Sequence, residues 1–150
     1  MKVALVHDYL LKFGGAERVL KSLTELYPNA PIYTLLYSEE KMGNYFPKDK
    51  IRQSFLGKLP NWIKKQHTFL LPLYPMAIES FDFSDFDLVI SSSNSFAHGI
   101  ITNSNTKHIC YYHSPTRYIW DWHAEYLEGA SKIKNFFAKL LLHRIRIWDQ

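Results

Sequence analysis

The order of apolar and polar positions predicts that the chain opens with strands and helices in alternation. The run "KVALVHDY", which begins at Lys2, is almost continuously apolar, as is typical of a buried parallel strand. After Gly14 and Gly15, apolar residues recur every three or four positions, which predicts an amphipathic helix ending before Pro28. "PIYTLLY" then predicts a second strand, so this segment has the order of a βαβ unit.

Two later strands are predicted, each followed directly by polar residues. In "FDLVISSSNSFAHG" the segment Asp87–Ile90 predicts a buried strand, and Ser91–Asn94 crowd its carboxyl end. In "KHICYYHSP" the strand is predicted at Ile109–Tyr112, and His113 follows it directly. The segment 38–84 holds four prolines, so only short strands and helices are expected there.

A long helical pattern closes the chain, and we expect from it that the chain is a fragment of a longer protein. Its apolar residues fall on one predicted stripe: Ile133, Phe136, Phe137, Leu140, Leu141, Ile145 and Trp148. We interpret this stripe as a face that packs against the sheet or continues toward a missing half. The alternative is a helix whose lysines and arginines rest on an anionic bilayer.

Together these elements predict an α/β fold: a Rossmann-like open, mostly parallel sheet with helices on both faces. Polar or unusual residues follow three of the strands, namely Asp8 with the glycine pair, the Ser91–Asn94 cluster, and His113 with Ser114. Ligands of open parallel sheets bind at the carboxyl ends of the strands. We therefore expect these three strand ends to form one wall of a binding crevice.

Composition and charge narrow the class of protein. The 150 residues suit one domain, and 47% hydrophobic with 21% charged residues excludes a disordered chain. A net charge of +4 permits contact with phosphates or acidic lipids, but no nucleic-acid-binding motif is present, so no nucleic-acid partner is predicted. The single cysteine suits a reducing compartment, and no signal peptide or apolar run of about 20 residues is seen, so a cytoplasmic protein is expected.

The glycine pair Gly14–Gly15 has two interpretations. Without Cβ atoms these peptides let an anion approach the free N–H groups at the start of the helix. The plainer interpretation is a tight strand-to-helix turn without a ligand. Neither G-x-G-x-x-G nor G-x-x-x-x-G-K-[ST] occurs, which argues against a dinucleotide site and against an ATPase phosphate loop.

His113 is the first candidate for chemistry, because a side chain at a strand end can reach into a cleft and hydrogen-bond a sugar hydroxyl. A structural histidine is the alternative. His7, His98 and His108 have weaker claims, and no histidine spacing suits zinc, so no metal site is predicted. Arg117 and the rings beside it could clamp a carboxylate or phosphate, or could simply cap a helix and fill the core.

Three other residues receive a structural interpretation. Cys110 lies mid-strand among apolar residues, so we expect a small buried hydrophobe rather than a nucleophile. Glu17 and Glu25 match an E-x7-E spacing, but they belong to the first helix, where such acids are usually its solvated face.

The three segments "KVALVHDYLLKFGGAERVL", "FDLVISSSNSFAHG" and "CYYHSPTRYIWD" together resemble the N-terminal domain of family 4 retaining glycosyltransferases of the GT-B fold. Within that family the chain is most similar to bacterial mannosyltransferases and related enzymes that build cell-surface polysaccharides. The resemblance covers nearly the whole chain and keeps the order of the three segments.

The resemblance implies a role for particular residues. Gly14 and Gly15 would approach the donor diphosphate, and His113 would contact the donor sugar near the reacting carbon. The acceptor side would be lined by residues from several loops: Asp8, Tyr9, Ser93, Asn94, Arg117 and Tyr118.

The resemblance also implies partners and limits. Residues 1–150 would be the acceptor-side domain, while a C-terminal domain absent from this chain would bind the nucleotide sugar and supply the family's basic residue and E-x7-E motif. The whole protein would transfer mannose or a similar sugar to a glycan or lipid-linked acceptor, without a metal or other cofactor, and this piece alone would be inactive. Contact with the inner face of the membrane would suit a lipid-linked acceptor. The competing hypotheses are a non-catalytic Rossmann-like binding module and a membrane-surface docking domain.

Overall fold

A computed structural model describes residues 1–65, 67–114 and 132–150. Two compact units are distinguished, Met1–His113 and Ser114–Gln150. The first holds the sheet and all the site residues discussed below except Arg117 and Tyr118.

The first unit is built on a five-stranded sheet in which every pairing is parallel, in the order β3-β2-β1-β4-β5. The strands are β1 Val3–Leu10, β2 Ile32–Tyr37, β3 Ile51–Gln53, β4 Leu88–Ser93 and β5 Lys107–Tyr112. This open parallel sheet with its helices confirms the prediction of an α/β, Rossmann-like fold.

The first helix, α1, spans Gly15–Leu26 and matches the predicted amphipathic pattern. Gly14 precedes it in an extended conformation, with φ −146° and ψ −155°. Neither Gly14 nor Gly15 adopts a left-handed backbone, so the pair is not explained by a positive φ. Glu17 accepts a hydrogen bond from the Gly14 N–H at 2.8 Å, which satisfies one of the donors that a helix start leaves open.

The remaining elements of the first unit are short, as the prolines of the segment 38–84 predict. The α-helices are α2 Glu39–Met42, α3 Asn61–Lys65 and α4 Tyr74–Glu79. Four 3₁₀ helices lie at Lys48–Lys50, Phe55–Lys58, His67–Leu73 and Ala97–Gly99.

The hydrophobic core lies between the sheet and its helices. Leu5, Ile32 and Ile90 stand at neighbouring register positions on three strands and are at most 8% exposed. Leu20 of α1 and Phe46 complete this cluster, and both are fully buried. Burying an aliphatic side chain of this size contributes about 1.5–3 kcal/mol, so the cluster fixes the register of the central strands.

Two expectations about β4 and β5 were wrong. Ser91, Ser92 and Ser93 do not follow β4 but form its last three residues, and all three are fully buried. Cys110 is exposed rather than buried, because β5 is the last described strand of the sheet and pairs, among the described strands, with β4 alone.

The second unit contains α5, which spans Lys132–Asp149 as predicted. Its apolar residues do not share one buried stripe: Leu142 and Ile145 are buried, whereas Phe136 is 66% and Leu140 is 49% exposed. No helix among the described residues combines the length and apolar character needed to cross a membrane.

Candidate functional site at the carboxyl edge of the sheet

The carboxyl ends of β1, β4 and β5 lie side by side, which brings three of the predicted site segments to one edge of the sheet. His7 of β1 is in register with Ser92 of β4, and Ser92 is in register with Tyr111 of β5. The backbone N–H of His113 donates to the Ser93 carbonyl at 2.9 Å, which extends the pairing by one residue beyond β5. The expected convergence of the strand ends is confirmed for these segments.

A first set of hydrogen bonds joins the glycine turn to β1. The Glu17 carboxylate uses Oε2 to accept from the Gly14 N–H at 2.8 Å, and its Oε1 lies 3.3 Å from His7 Nε2. His7 is 1% exposed and the Glu17 side chain 15% exposed. This ion-pair geometry is therefore shielded from water on the His7 side.

A second set joins β1 to β5 through β4. His7 Nδ1 lies 3.0 Å from the Ser92 carbonyl oxygen and 3.2 Å from Ser92 Oγ. Ser92 Oγ in turn lies 2.8 Å from His113 Nε2. The glycine turn and His113 are thus connected, through Glu17, His7 and Ser92, by one continuous chain of hydrogen bonds.

Burial and neighbouring charges shift the pKa values of Glu17 and His113, which lie in this chain of hydrogen bonds. Burial alone would raise the pKa of the Glu17 carboxyl, but the hydrogen bonds from His7 and from backbone N–H groups, with the charge of His7, hold that pKa below its ordinary value. Burial lowers the pKa of His113, and the charge of His7 lowers it further, against the opposing effect of Asp8 and Glu17. The site favours an ionised Glu17 and a neutral His113 at neutral pH.

Asp8 holds the loop that follows β4. It is 1% exposed, and its Oδ2 accepts from the backbone N–H of Asn94 at 2.5 Å and of Ser95 at 3.0 Å. Its Oδ1 accepts from the N–H of Phe96 at 2.7 Å and of Ala97 at 2.6 Å. Because both of its oxygens accept hydrogen bonds from the loop, this carboxylate holds the loop in place. The predicted contact of Asp8 with the acceptor substrate stays a prediction, and this geometry does not favour it.

The other predicted acceptor residues are placed differently from one another. The Tyr9 ring lies 5.2 Å from that of Tyr74, centroid to centroid, and is half-buried. Ser93 is fully buried and its Oγ lies 3.3 Å from His98 Nδ1, whereas Asn94 is partly exposed at the loop. Arg117 and Tyr118 lie outside the described residues, so their assignment also stays a prediction.

Gly14 and Gly15 differ in how much room there would be for a side chain. A Cβ added to Gly14 would lie 3.1 Å from Glu17 Oε2, whereas a Cβ added to Gly15 would meet no atom of a described residue within 4 Å. Gly15 therefore faces open space at the start of α1. Backbone N–H groups and the positive end of the helix dipole make such a position favourable for an anion.

Sequence reasoning missed the residues that connect the site. Glu17 was expected on the solvated face of α1, which is wrong, because its carboxylate is partly buried against His7; Glu25, on the same helix, is exposed as expected. The signal that could have identified Glu17 is its position three residues after Gly14, which is the spacing of a capping box. Ser92 carried no such signal, because its partners are distant in the sequence.

Two further features bear on ligand chemistry. Among residues 1–65, 67–114 and 132–150, no group of three His, Cys, Asp or Glu side chains is arranged to hold a metal ion. A cleft of about 820 Å³ lies beside the carboxyl end of β2, separate from the His113 chain of hydrogen bonds. It is lined by apolar, acidic and basic residues: Leu11, Leu36, Tyr37, Ser38, Glu39, Glu40, Lys41, Lys48, Gln53 and Lys64.

Comparisons of this chain with protein-family models, with curated proteins and with solved structures find no match.

Proposed function

We propose that this chain is the acceptor-side domain of a retaining glycosyltransferase, which moves a sugar from a nucleotide-sugar donor to a glycan or lipid-linked acceptor. The proposal includes a second domain, outside this chain, that binds most of the donor. The observation that carries it is the hydrogen-bonded connection between the glycine turn and His113 at the carboxyl edge of a parallel sheet. Open parallel sheets bind ligands at this edge.

The glycine turn is suited to the diphosphate of such a donor. Transfer leaves a nucleoside diphosphate with growing negative charge, and oriented N–H groups stabilise that charge most when they are fixed beforehand. The Gly14 N–H is already taken by the Glu17 carboxylate, which fixes the turn, while the open space at Gly15 leaves room for phosphate oxygens beside the N–H groups at the start of α1. The two glycines therefore have separate tasks, one in shaping the turn and one in admitting the ligand.

His113 is suited to the sugar. It is held through Nε2 by Ser92 Oγ at 2.8 Å, and its Nδ1 makes no hydrogen bond to any described residue. A half-buried neutral imidazole with one fixed and one available nitrogen can orient a sugar oxygen. Orientation of the reacting groups, rather than proton transfer, is the role proposed for this side chain.

The test is sugar transfer by the intact protein, measured with a panel of UDP- and GDP-sugars and lipid-linked or glycan acceptors. His113→Ala is expected to lower the rate at least tenfold. The matched control is His108→Ala, since His108 lies on β5, which ends directly before His113, and is bonded to Ser91 Oγ at 2.8 Å. Equal rates for the two variants, or no transfer from any donor by the wild type, would contradict the proposal.

A second variant separates binding from folding at the glycine turn. Gly15→Ala adds a methyl group that meets no atom within 4 Å in the part of the chain that the structure describes, so stability is expected to stay equal or to rise by up to about 1 kcal/mol. Donor binding should nevertheless weaken, because the methyl group occupies the space proposed for the phosphate. Unchanged donor affinity in this variant argues for a plain turn at Gly15.

A membrane-surface role is a second candidate, favoured by the exposed side of α5. Phe136, Leu140 and Ile147 are 66%, 49% and 60% exposed, and their spacing of four and seven residues places them on one side of the helix. Lys139 and Arg144 are exposed beside them. Apolar side chains flanked by cations suit a surface of anionic lipid.

Liposome flotation tests this candidate. The protein is expected to float with vesicles containing phosphatidylglycerol and to stay unbound with phosphatidylcholine alone. Ile147→Ser should reduce flotation, whereas Leu26→Ser, at a residue 71% exposed on α1, should not. Equal flotation with both lipids, or equal loss in both variants, contradicts the candidate.

A further inference from the structure

Each nitrogen of His7 has as its nearest partner an atom that only accepts hydrogen bonds. Nδ1 lies 3.0 Å from the Ser92 carbonyl oxygen, which carries no hydrogen. Nε2 lies 3.3 Å from the Glu17 carboxylate, which also carries none when ionised. A neutral imidazole has a single N–H, so it can satisfy only one of these acceptors. The surroundings of this buried ring therefore suit the form in which both nitrogens are protonated.

The Ser92 hydroxyl transmits this arrangement to His113. With its proton on Nδ1, His7 donates toward both the carbonyl oxygen and Oγ of Ser92, at 3.0 and 3.2 Å. Ser92 Oγ then has its own hydrogen available for His113 Nε2 at 2.8 Å. An accepting Nε2 is unprotonated, and a neutral His113 consequently carries its proton on Nδ1.

We propose that Glu17, His7 and Ser92 are positioning residues that hold His113 as a neutral imidazole with its proton on Nδ1, directed as a hydrogen-bond donor to an oxygen of the ligand. The ligand role of His113 rests on the proposed function, whereas the arrangement of protons does not. The inference adds three residues to the site, and it specifies which kind of hydrogen bond His113 makes.

The charged groups around His113 agree with this arrangement. The ionisable side chains that act on it are His7 and Asp8 from β1 and Glu17 from α1, and the Tyr111 ring of β5 lies 4.8 Å from its ring. Burial and the nearby charge of His7 both lower the pKa of His113, which keeps the ring neutral near pH 7. The negative charge of the Glu17 carboxylate beside His7 balances the positive charge of the doubly protonated ring.

Whether Nδ1 of His113 carries the proton decides which oxygens of a ligand it can contact. An Nδ1–H donates to any oxygen, including phosphate oxygens and ring oxygens that have no hydrogen to give. An unprotonated Nδ1 could accept only from a hydroxyl group. The proposed arrangement therefore allows His113 to contact an oxygen acceptor of a sugar diphosphate, and it excludes a role as general base through Nδ1.

Nitrogen-15 NMR of the histidine rings tests the proposal directly, because protonated and unprotonated ring nitrogens have clearly separated chemical shifts. In the labelled wild-type protein near pH 7 we expect His113 protonated on Nδ1 only and His7 protonated on both nitrogens. Ser92→Ala should remove the donor to Nε2 and move the His113 proton to that nitrogen. Glu17→Gln should remove one proton from His7.

Two matched variants separate positioning from a general structural effect. Ser91→Ala removes the neighbouring hydroxyl, which is bonded to His108, and should leave the His113 spectrum unchanged. Glu25→Gln removes an exposed carboxylate from the same helix and should leave His7 unchanged. A wild-type His113 protonated on Nε2, a wild-type His7 with one proton, or a Ser92→Ala spectrum identical to wild type overturns the proposal.

The NMR spectra and the sugar-transfer assay test two separate proposals, so one proposal can be rejected while the other is retained. Expected spectra without sugar transfer by the intact protein would retain the positioning network and reject the glycosyltransferase. Sugar transfer that depends on His113, but with the opposite tautomer, would retain the enzyme and reject the network.

Discussion

Strands β4 and β5 are neighbours, but β4 buries polar residues whereas β5 exposes apolar ones. The polar end of β4, Ser91–Ser93, is fully buried, whereas Ile109, Tyr111 and Tyr112 of β5 are 56%, 53% and 42% exposed. Strand β4 has a partner strand on each side, and β5 is the last described strand of the sheet. Position within the sheet, rather than the polarity of the residues, therefore decides which strand is buried.

The buried serines are tolerated because each has a histidine partner. Ser91 Oγ lies 2.8 Å from His108 Nε2, and Ser92 Oγ lies 2.8 Å from His113 Nε2. A buried hydroxyl without a partner costs about 1–3 kcal/mol, so these pairs remove a penalty that the sequence of β4 would otherwise incur. His108 of β5 and His113, directly after β5, thus stabilise β4, and His113 also places a ring at the candidate site.

The largest effect is expected at the loop that β4 leads into, where Asp8→Ala would leave four N–H groups, three of them buried, without their acceptor. Each unsatisfied buried donor costs about 1–3 kcal/mol, and partial rearrangement reduces the sum, so a loss of about 4 kcal/mol is expected. Urea unfolding measures it. Asp82→Ala, at an exposed carboxylate that accepts from the Ser84 N–H, should cost far less. Similar losses in both variants would show that Asp8 does not hold the loop.

The second effect contrasts the two strands with one residue type. Ile90 of β4 and Ile109 of β5 are register partners, but the first is 8% exposed and the second 56%. Ile90→Ala should cost about 3 kcal/mol by loss of apolar burial and creation of a cavity, and Ile109→Ala less than about 1 kcal/mol. The two urea midpoints provide the measurement. An equal loss would mean that β5 is covered in solution.

The third effect is a dependence of stability on pH carried by His108 of β5 and by His113, which follows that strand. Burial lowers the pKa of both His108 and His113 in the folded protein, so below the ordinary histidine pKa of about 6.5 the unfolded chain binds more protons. The part of the stability that these two histidines carry should therefore fall as the pH is lowered from about 7.5 to 5.5. Unfolding midpoints at these two pH values are compared between the wild type and the His108→Gln/His113→Gln double variant, in which acidification should be less destabilising. An equal change of the midpoint in both proteins contradicts the assignment.

The smallest effect is expected at Cys110, on the exposed strand. Cys110→Ala should change the free energy of unfolding by no more than about 0.5 kcal/mol, as at other exposed positions. Maleimide should label the folded wild type, but more slowly than free cysteine near pH 7, because partial burial raises the pKa of the thiol. Labelling that requires denaturant would place Cys110 in the core after all.

The helices and strands were predictable wherever a pattern is local. The helix at Gly15–Leu26, strand β2 and the final helix follow from spacing alone, because the periods of 3.6 and 2 residues are set by the backbone. The same reasoning misjudged Glu17 and Cys110, whose surroundings come from distant segments. Glu17 is partly buried by His7, ten residues away, and the burial of Cys110 depends on where β5 stands in the sheet.

The sequence by itself determined the parallel α/β architecture and the strand ends that carry Gly14, Gly15 and His113, since runs of apolar residues and glycine junctions act over a few neighbouring positions. Only the tertiary structure decided that Ser92 joins His7 to His113, because that contact spans 85 residues and requires β1 and β4 to pair in one register. Hydrogen bonds between distant strands depend on strand order and register, and neither is encoded in any single segment.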